Sequence, residues 1–443
     1  MPKLPNVYCF GMGNTYLGSW QSTLVVLGLL SAASSAEAFQ LGNRWSTTAT
    51  NGGGLTQGDA TTVTWGFVPD GTTIAGTAAA GEDPTETSSL LSALDTTFGG
   101  PTTAGDLTTA AWFSQFDSAY SRWGEVSGLT MAYSPTDDGV TMGASPFSGI
   151  LGIRADMRIG GRSVDGSTGA NTLAYNYLPN NGDHVQDTDN ILGGTYSLTG
   201  IGSTRLRNVI THEAGHGLGF RHLESNNSNQ LLEPFISTAF LGPQLDDILG
   251  IQRHYGDALE KSGGNDTVAT ATVLGSVASG MVLSVGTLGD SAVVANSATD
   301  FISIDGTTDT DLFAFTVGSQ GFVSLTLDPR GATYNEGPQD GIQAPLITDQ
   351  LSNLKIELIG TDGFTVLATA SGSAAGITET VTSQGVSGAG TYYARVMEEA
   401  GADDDVQLYG LTVGFEAVPE PSSALLALLA SAGLVFRRTR PSC

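Results

Sequence analysis

The sequence predicts two folded domains, the first organised around a histidine-bearing helix and the second an all-β sandwich of short strands. The chain has 443 residues, which is more than one domain usually contains. Three of its five histidines lie within positions 212–222, with the spacing of a helix that ends in a turn. After residue 257, short runs rich in β-branched and aromatic residues alternate with turn residues, a pattern typical of strands.

The histidine segment has the pattern H-E-x-x-H-x-x-G-x-x-H, in which each fixed position suits a metal site. His212 and His216 are four residues apart, so one face of a helix presents both to a single ion. Gly219 can adopt a positive φ, which ends the helix and lets His222 supply a third nitrogen. Three imidazoles with an open fourth position are typical of a catalytic zinc, whereas structural zinc sites use four protein ligands.

Glu213 follows the first histidine, where a carboxylate can hold and deprotonate a metal-bound water. Two other interpretations of the motif exist. A histidine pair on a helix can be a satisfied core pair or part of a polar face, and a zinc site can lose its activity. The glutamate, glycine and third histidine in register argue against the first, and nothing in the motif argues for the second.

The motif and its flanks resemble the matrixin-like branch of the metzincin zinc peptidases over residues 39–257. The similar segments are Trp45 and residues 61–71 (first strand), 116–126 (long first helix), 155–159 and 173–179 (central and edge strands), 231–234 (closing turn) and 246–256 (last helix). The resemblance implies an α+β catalytic domain, with a twisted mixed sheet and long helices. It also implies an endopeptidase with one catalytic zinc on His212, His216 and His222, in which Glu213 is the general base and then acid.

Two departures from the family bear on the metal sites. Leu232 occupies the place of the methionine in the turn beneath the zinc; its volume is similar, so we expect the site to survive. Tyr175 occupies one place where matrixins tend to hold a second, structural zinc through histidine, and His184 is the only histidine nearby. We therefore predict no second zinc, and we interpret His254 in the last helix as structural.

The loop of residues 180–190 is rich in oxygen ligands, which suits calcium. Asp183, Asp187 and Asp189 are the candidate ligands of this structural calcium, and a solvated acidic turn is the equally weighted alternative. The resemblance also implies that substrate lies antiparallel to the edge strand around Leu173 and Ala174. Pro234 and Phe235, with Ile236, would then line the main side-chain pocket.

Composition limits the class of protein, its partners and its disulfide content. Sixty glycines and only 14% charged residues suggest a strand-rich secreted protein with many turns. A net charge of −27 argues against nucleic acid as a partner, because nucleic acid binds basic surfaces. The two cysteines, Cys9 and Cys443, lie in segments that we expect to be processed. The mature protein should therefore contain no disulfide and no cysteine for the propeptide switch of many matrixins.

The N-terminal 38 residues have the features of a signal peptide. Lys3 precedes an apolar run at residues 24–30, and the A-x-A signature Ala36-Glu37-Ala38 follows. Cleavage there would leave Phe39 as the mature N-terminus. The resemblance to activated matrixins implies that its ammonium pairs with Asp246 of the last helix, so signal cleavage would itself complete the active form.

Residues 418–443 resemble a PEP-CTERM sorting signal of Gram-negative bacteria. A Pro-Glu-Pro motif precedes an apolar run at 424–436 and three arginines, although the run is short for a permanent span. The resemblance implies an exosortase-type sorting enzyme as a partner and delivery to the cell envelope, the surface or an extracellular matrix. An ordinary C-terminal anchor is the alternative.

Residues 258–417 resemble a pre-peptidase C-terminal (PPC-like) domain. The similar segments are 265–271 and 310–317, and strand-like runs follow at 321–327, 355–358, 390–396 and 411–413. We expect this β-sandwich to bind substrate, extracellular polysaccharide or matrix, or to assist secretion; a passive spacer is the alternative. Asp305, Asp309 and Asp311 could bind calcium, although acidic turns between strands are common.

These observations predict a secreted zinc-dependent endopeptidase that acts on proteins or peptides. The main alternative is an extracellular-matrix or surface-adhesive protein with a retained but weakly active metal site, whose β-sandwich is the working part. A third interpretation is an enzyme that cleaves only itself or its neighbours during matrix assembly. The intact Glu213 favours an enzyme, but the sequence does not separate the first interpretation from the third.

Overall fold

The computed structural model describes residues 8–12, 39–76, 85–100, 105–144, 149–166, 172–261, 263–400 and 406–419. The rest of the predicted leader lies outside these ranges, as does the sorting tail from residue 420 onward. No helix within the described ranges is both long and apolar enough to cross a membrane.

The first half contains the mixed sheet that the resemblance implied. Its strands, in chain order, are β1 (Tyr8–Met12), β4 (Thr62–Phe67), β7 (Thr130–Tyr133), β8 (Met157–Arg162), β9 (Thr172–Tyr177) and β10 (His184–Asp187). The spatial order is β1-β9-β10-β8-β4-β7. The β9–β10 pair is antiparallel and the other pairs are parallel. Five short two-residue strands among the described residues lie outside this sheet: β2 (Thr47–Thr48), β3 (Gly52–Gly53), β5 (Thr73–Ile74), β6 (Glu86–Thr87) and β11 (Leu223–Glu224).

The described residues of the first half also form five α-helices: α1 (Leu90–Phe98), α2 (Phe113–Glu125), α3 (Thr188–Leu192), α4 (Gly200–Leu218) and α5 (Leu245–Tyr255). Buried aromatic residues join α2 to the sheet and to α4. The ring of Trp65 on β4 stacks on Tyr120 of α2 at 4.8 Å. Trp123 of α2 donates from its indole nitrogen to Thr211 O of α4 at 3.0 Å. This packing fixes the helix that carries the first two histidines.

The strand predicted to form the sheet edge, β9, has a neighbour on each side. One is β10, and the other is β1, from within the predicted leader. Residues 8–12 therefore cover the backbone edge along which substrate was expected to lie. Removal of the leader would expose that edge.

The second half is a sandwich of two five-stranded sheets. Its strands are β12 (Thr272–Val277), β13 (Met281–Val285), β14 (Ile302–Ile304), β15 (Thr310–Val317), β16 (Gly321–Pro329), β17 (Thr333–Pro338), β18 (Ala344–Ile347), β19 (Asn353–Ile359), β20 (Val366–Ala370), β21 (Glu379–Val386), β22 (Gly390–Ala400) and β23 (Gln407–Ala417). One sheet has the order β12-β15-β22-β19-β20. The other has the order β13-β23-β16-β21, and its fifth strand, β14, also pairs with β23. All four strand-like runs noted in the sequence are strands, and their inward side chains form a separate apolar core.

Strands β17 and β18 form a hairpin that packs against the first half instead of joining either sheet. Buried side chains of the second half, including Tyr334 and Leu346 of this hairpin, share a core with the helices of the first half. The domain boundary at residue 257 stays a prediction, but apolar packing continues across it.

Candidate metal centre and its surroundings

The end of α4 and the turn that follows it bring the three histidines together. His212 and His216 lie on the helix, and the helix ends at Gly219, which has a φ of 118°. A β-carbon at Gly219 would lie 2.8 Å from Asn43 O and 2.8 Å from the ring of His254. Glycine is thus required both by the conformation and by the close packing, and the turn it makes returns His222 to the helical pair.

The imidazole Nε2 atoms of the three histidines converge. His222 Nε2 lies 3.2 Å from His212 Nε2 and 3.1 Å from His216 Nε2. Zn–N bonds of 2.0–2.1 Å in a tetrahedral site place ligand nitrogens about 3.3 Å apart. The spacing therefore fits one zinc ion, and His212, His216 and His222 are the residues that would hold it.

The opposite ring nitrogens have oxygen partners. His212 Nδ1 lies 2.7 Å from Leu231 O, and His216 Nδ1 lies 2.9 Å from Phe220 O. Since a carbonyl oxygen only accepts, each Nδ1 carries the proton and each Nε2 presents its lone pair to the shared point. His222 Nδ1 lies 2.9 Å from the side-chain oxygen of Gln339, a residue of the second half.

Burial disfavours protonation of these histidines. It lowers the pKa of His212 to about 3 and of His222 to about 4, and takes that of His216 well below its usual value. Proximity of the rings to one another further lowers the pKa of His212 and of His216. Three neutral imidazoles whose lone pairs meet at one point form a site suited to a cation.

Glu213 is fully buried beside the histidines on α4. Its charge reaches Tyr120 of α2, whose pKa is raised first by burial and then by this carboxylate. Tyr120 also lies 3.3 Å from His184 Nδ1. His184 is buried and is not one of the three converging histidines. Tyr120 was not singled out in the sequence, because no local pattern shows that α2 faces the glutamate.

Leu232, which was predicted to take the methionine position of the turn beneath the zinc, packs against the helix that carries His212 and His216. Leu232 is fully buried, and its methyl carbon lies 3.2 Å from the β-carbon position of Gly215, between the two helical histidines. The buried carboxylate of Asp247 accepts hydrogen bonds from Leu231 N at 2.9 Å and Leu232 N at 3.3 Å. Asp247 was missed in the sequence, because its role depends on a turn that lies fifteen residues earlier.

Replacing Leu232 by methionine should therefore change little. We expect a loss of unfolding free energy below ~1.5 kcal/mol, because the two side chains have similar volumes. Leu232→Ala should cost roughly 2–5 kcal/mol, because it leaves a cavity beneath the histidines. Chemical denaturation of both variants measures the difference. A large loss in the methionine variant would show that leucine is specifically required.

The backbone nitrogen of Phe39, the expected mature N-terminus, contacts the last helix of the first half. Its backbone nitrogen is 3.3 Å from Asp246 Oδ1 on α5. The Tyr334 hydroxyl donates to the same oxygen at 2.9 Å, and Glu336 is buried beside it. Burial, followed by the charge of Asp246, raises the pKa of Glu336 to about 11. Two buried carboxyl groups at one point favour a cation there, which an ammonium at Phe39 would supply.

The residues predicted to bind substrate lie in two parts of the chain, on strand β9 and just after the turn that contains Leu232. Leu173 and Ala174 are buried on β9, which runs alongside α4. Pro234 is buried just after the turn, whereas Phe235 is 36% exposed. His254 is buried against the end of α4 and lies outside the group of three histidines.

The aspartates of the predicted calcium loop accept hydrogen bonds from separate parts of the chain. Asp183 accepts from Gly143 N at 2.7 Å, while Asp187 caps α3 and accepts from Val164 N at 3.0 Å. Asp189 accepts from the Ser163 hydroxyl. Within the described ranges, these three do not form one of the groups whose ligand atoms lie within 4.8 Å of one another.

A second group of side chains that could hold a metal ion lies at the junction of the two halves. Carboxylate oxygens of Glu260, Asp266 and Asp309 lie within 4.8 Å of one another. Nearby, Asp305 is 8% exposed, and its buried Oδ2 has no hydrogen-bond partner among the described residues. The other buried polar residues around this junction cluster are Asp257, Asn265 and Asp311. A polar cavity of about 810 Å³ opens onto the cluster and is lined by residues of both halves.

Part of this chain is similar in sequence to a known protein. Metalloendoproteinase 2-MMP of Arabidopsis thaliana is 29% identical over 159 residues, which cover 32% of this chain and 36% of that protein. The chain thus spans about a third of the length of that relative.

Two solved structures are similar to about a third of the chain. One is the pre-peptidase C-terminal domain of a collagenase from Bacillus anthracis (13% identity, 32% of this chain and 95% of that chain, TM-score 0.17). The other is PliG of Aeromonas hydrophila, a periplasmic inhibitor of g-type lysozyme (11% identity, 33% and 99%, TM-score 0.18). Scores this low carry no argument about fold or function.

The family comparison covers the histidine-bearing region. The family described as Matrixin matches residues 95–256, which include α2, α4, α5 and all three histidines. Together with the Arabidopsis relative, this match shows that residues 95–256 are similar to matrixin metalloendoproteinases.

Proposed function

We propose that this chain is a zinc-dependent endopeptidase that hydrolyses peptide bonds in proteins or peptides. The observation that carries the proposal is the convergence of the three histidines, in which His222 Nε2 lies within 3.2 Å of the Nε2 atoms of both His212 and His216, beside the buried carboxylate of Glu213. Neither a core histidine pair nor a polar helix face explains this arrangement. A catalytic zinc site with an open fourth position does.

Each residue of the centre has a distinct task. When bound, zinc supplies Lewis-acid polarisation of the attacking water and of the scissile carbonyl. Glu213 accepts the proton of that water and then delivers it to the leaving amine, acting as base and then acid. The histidine Nδ1 partners hold the rings in the orientation that metal binding needs.

The substrate is proposed to extend along β9 and pair with its backbone, as peptides do at an exposed sheet edge. Leu173 and Ala174 would provide main-chain partners, and Pro234 and Phe235 would line the side-chain pocket. Because β1 covers this edge, the pairing requires that residues 8–12 leave. This supports cleavage of the leader before activity.

Cleavage of a broad peptide library tests the proposal. The zinc-loaded chain, without its leader, should cut peptides; a chelator should stop cleavage, and added zinc should restore it. Zinc binding without any cleavage would overturn the proposal and favour the matrix or adhesive protein. Cleavage restricted to the chain itself would favour the self-processing enzyme.

Signal cleavage before Phe39 is proposed to complete the site by creating an ammonium beside Asp246 and Glu336. A chain extended by two residues before Phe39 should be less stable by roughly 1.5–3 kcal/mol, the value of a hydrogen bond to a charged group. Thermal unfolding of the two chains measures the loss. Equal stabilities, or a natural N-terminus well downstream of Phe39 in mass spectrometry, would contradict the idea.

Calcium is proposed as a structural ion, and the described residues favour the junction cluster over the loop of Asp183, Asp187 and Asp189. The cluster offers oxygen ligands from several segments and a buried Asp305 oxygen with no protein partner. Calcium takes six to eight such ligands.

Export through the leader and delivery to the envelope, surface or extracellular matrix of a Gram-negative-type bacterium are proposed from the sequence. The tail would be read by an exosortase-type enzyme, and the β-sandwich would bind polysaccharide or matrix. The net charge of −27 argues against nucleic acid as a partner. Fractionation of the native host and mass spectrometry of the mature C-terminus would test this route.

A further inference from the structure

Each histidine of the metal centre has an oxygen partner on its outer nitrogen, but one partner comes from the other half of the chain. The partners of His212 and His216 are backbone carbonyls of the first half. The partner of His222 is the side-chain oxygen of Gln339, 117 residues away, at 2.9 Å. Such partners fix the ring orientation and tautomer of a metal ligand.

Backbone pairing holds Gln339 beside its histidine. Strand β11 begins immediately after His222 and pairs antiparallel with β17 of the hairpin, so that Leu223 faces Pro338. Gln339 is the next residue after Pro338, in a turn closed by a hydrogen bond from Gly341 N to Pro338 O at 2.8 Å. The contact between Gln339 and His222 therefore lies at the end of a short ladder of paired backbone, which holds the two residues next to each other.

The base of the hairpin is tied to the sandwich. Thr348 N donates to Ala332 O at 3.1 Å across the base. The buried side chain of Gln407, on β23, donates to Thr348 O at 3.1 Å. The hairpin thus links the sandwich core directly to the third histidine.

A second contact fixes the middle of the hairpin to the first half. Tyr334 is 4% exposed and donates to Asp246 on α5, and Leu346, its partner across the hairpin, is buried in the shared core. The exposed Gln339 is consequently carried by a strand that is anchored on both sides.

We propose that the hairpin of residues 333–347 is a working part of the peptidase site, in which Gln339 is the positioning residue for His222. This rests on the proposed zinc-peptidase function. Without an acceptor at position 339, His222 is free to adopt the other tautomer or to rotate, and fewer rings then present Nε2 to the metal. The second half would therefore contribute to zinc retention as well as to attachment or secretion.

The test compares zinc affinity of the full chain and of Gln339→Leu against a competing chelator. We expect a loss of about 10–100-fold in affinity, the usual effect of removing such a partner. Gln339→Glu keeps an acceptor oxygen and should restore affinity to within a few-fold. At saturating zinc, Gln339→Leu should lower kcat more than it changes KM, because the substrate strand β9 is untouched.

Asp340→Asn is the matched control, since it alters the same exposed turn without removing the His222 contact. It should bind zinc as the unaltered chain does. Equal affinity in Gln339→Leu and the unaltered chain would overturn the positioning role alone, as would an equal loss in Asp340→Asn. An unaltered chain that binds no zinc would overturn the proposed function itself, so the two failures are distinguishable.

Discussion

Replacing Glu213 by glutamine should abolish peptide cleavage while leaving zinc bound. Glutamine has nearly the same shape as glutamate but cannot accept the proton of the attacking water. General acid–base catalysis contributes on the order of 10²–10⁴-fold to rate, so kcat should fall by at least that range. Zinc content should not change, because the three histidines that converge are other residues. Elemental analysis and a peptide assay on the same sample measure both.

Glu224→Gln is a suitable control for this variant. Glu224 follows the same motif on the short strand β11, is partly exposed, and lies outside the group of converging histidines. It should retain most of the activity. Full activity in Glu213→Gln would show that another group moves the proton.

Calcium should stabilise the chain most strongly above pH 7. Burial and the mutual repulsion of neighbouring carboxylates raise the pKa of Asp309 to about 6, of Asp257 to about 7 and of Asp305 to about 8. Arg253 offsets this in part at Asp305. The folded chain then binds more protons than the unfolded chain. The contribution of these carboxyl groups to the free energy of unfolding is therefore largest below pH 4 and is lost as pH rises through 6–8. A bound divalent cation would remove that loss.

Thermal unfolding with and without calcium, from pH 5 to pH 8, measures this effect. Calcium at 100 times its dissociation constant adds about 2.7 kcal/mol of stability. Asp309→Asn should reduce the calcium gain, whereas the same change at Asp328, which lies outside the cluster, should not. A calcium-independent Tm at pH 8 would contradict a cation at this junction.

The convergence of the three histidines could be predicted from the sequence because these residues are local. Spacings of four, three and three residues along a helix and a glycine turn determine where His212, His216 and His222 point. The edge of the sheet was harder to predict. No pattern in residues 8–12 indicates that they pair with β9, since strand pairing depends on distant segments.

The contacts between the two halves could not be predicted for the same reason. Gln339 is an exposed glutamine in a turn, and nothing beside it in the sequence indicates a histidine 117 residues earlier. The acidic junction was only partly foreseen. Asp305 and Asp309 were recognised as oxygen ligands, but the contribution of Glu260 depends on how α5 leads into the sandwich.

X-ray absorption spectroscopy of the purified, zinc-loaded chain tests the central claim most directly. We expect one zinc per chain with three imidazole nitrogens at about 2.0–2.1 Å and oxygen from water in the remaining position. Absence of zinc, a sulfur ligand, or four protein ligands with no water would contradict it.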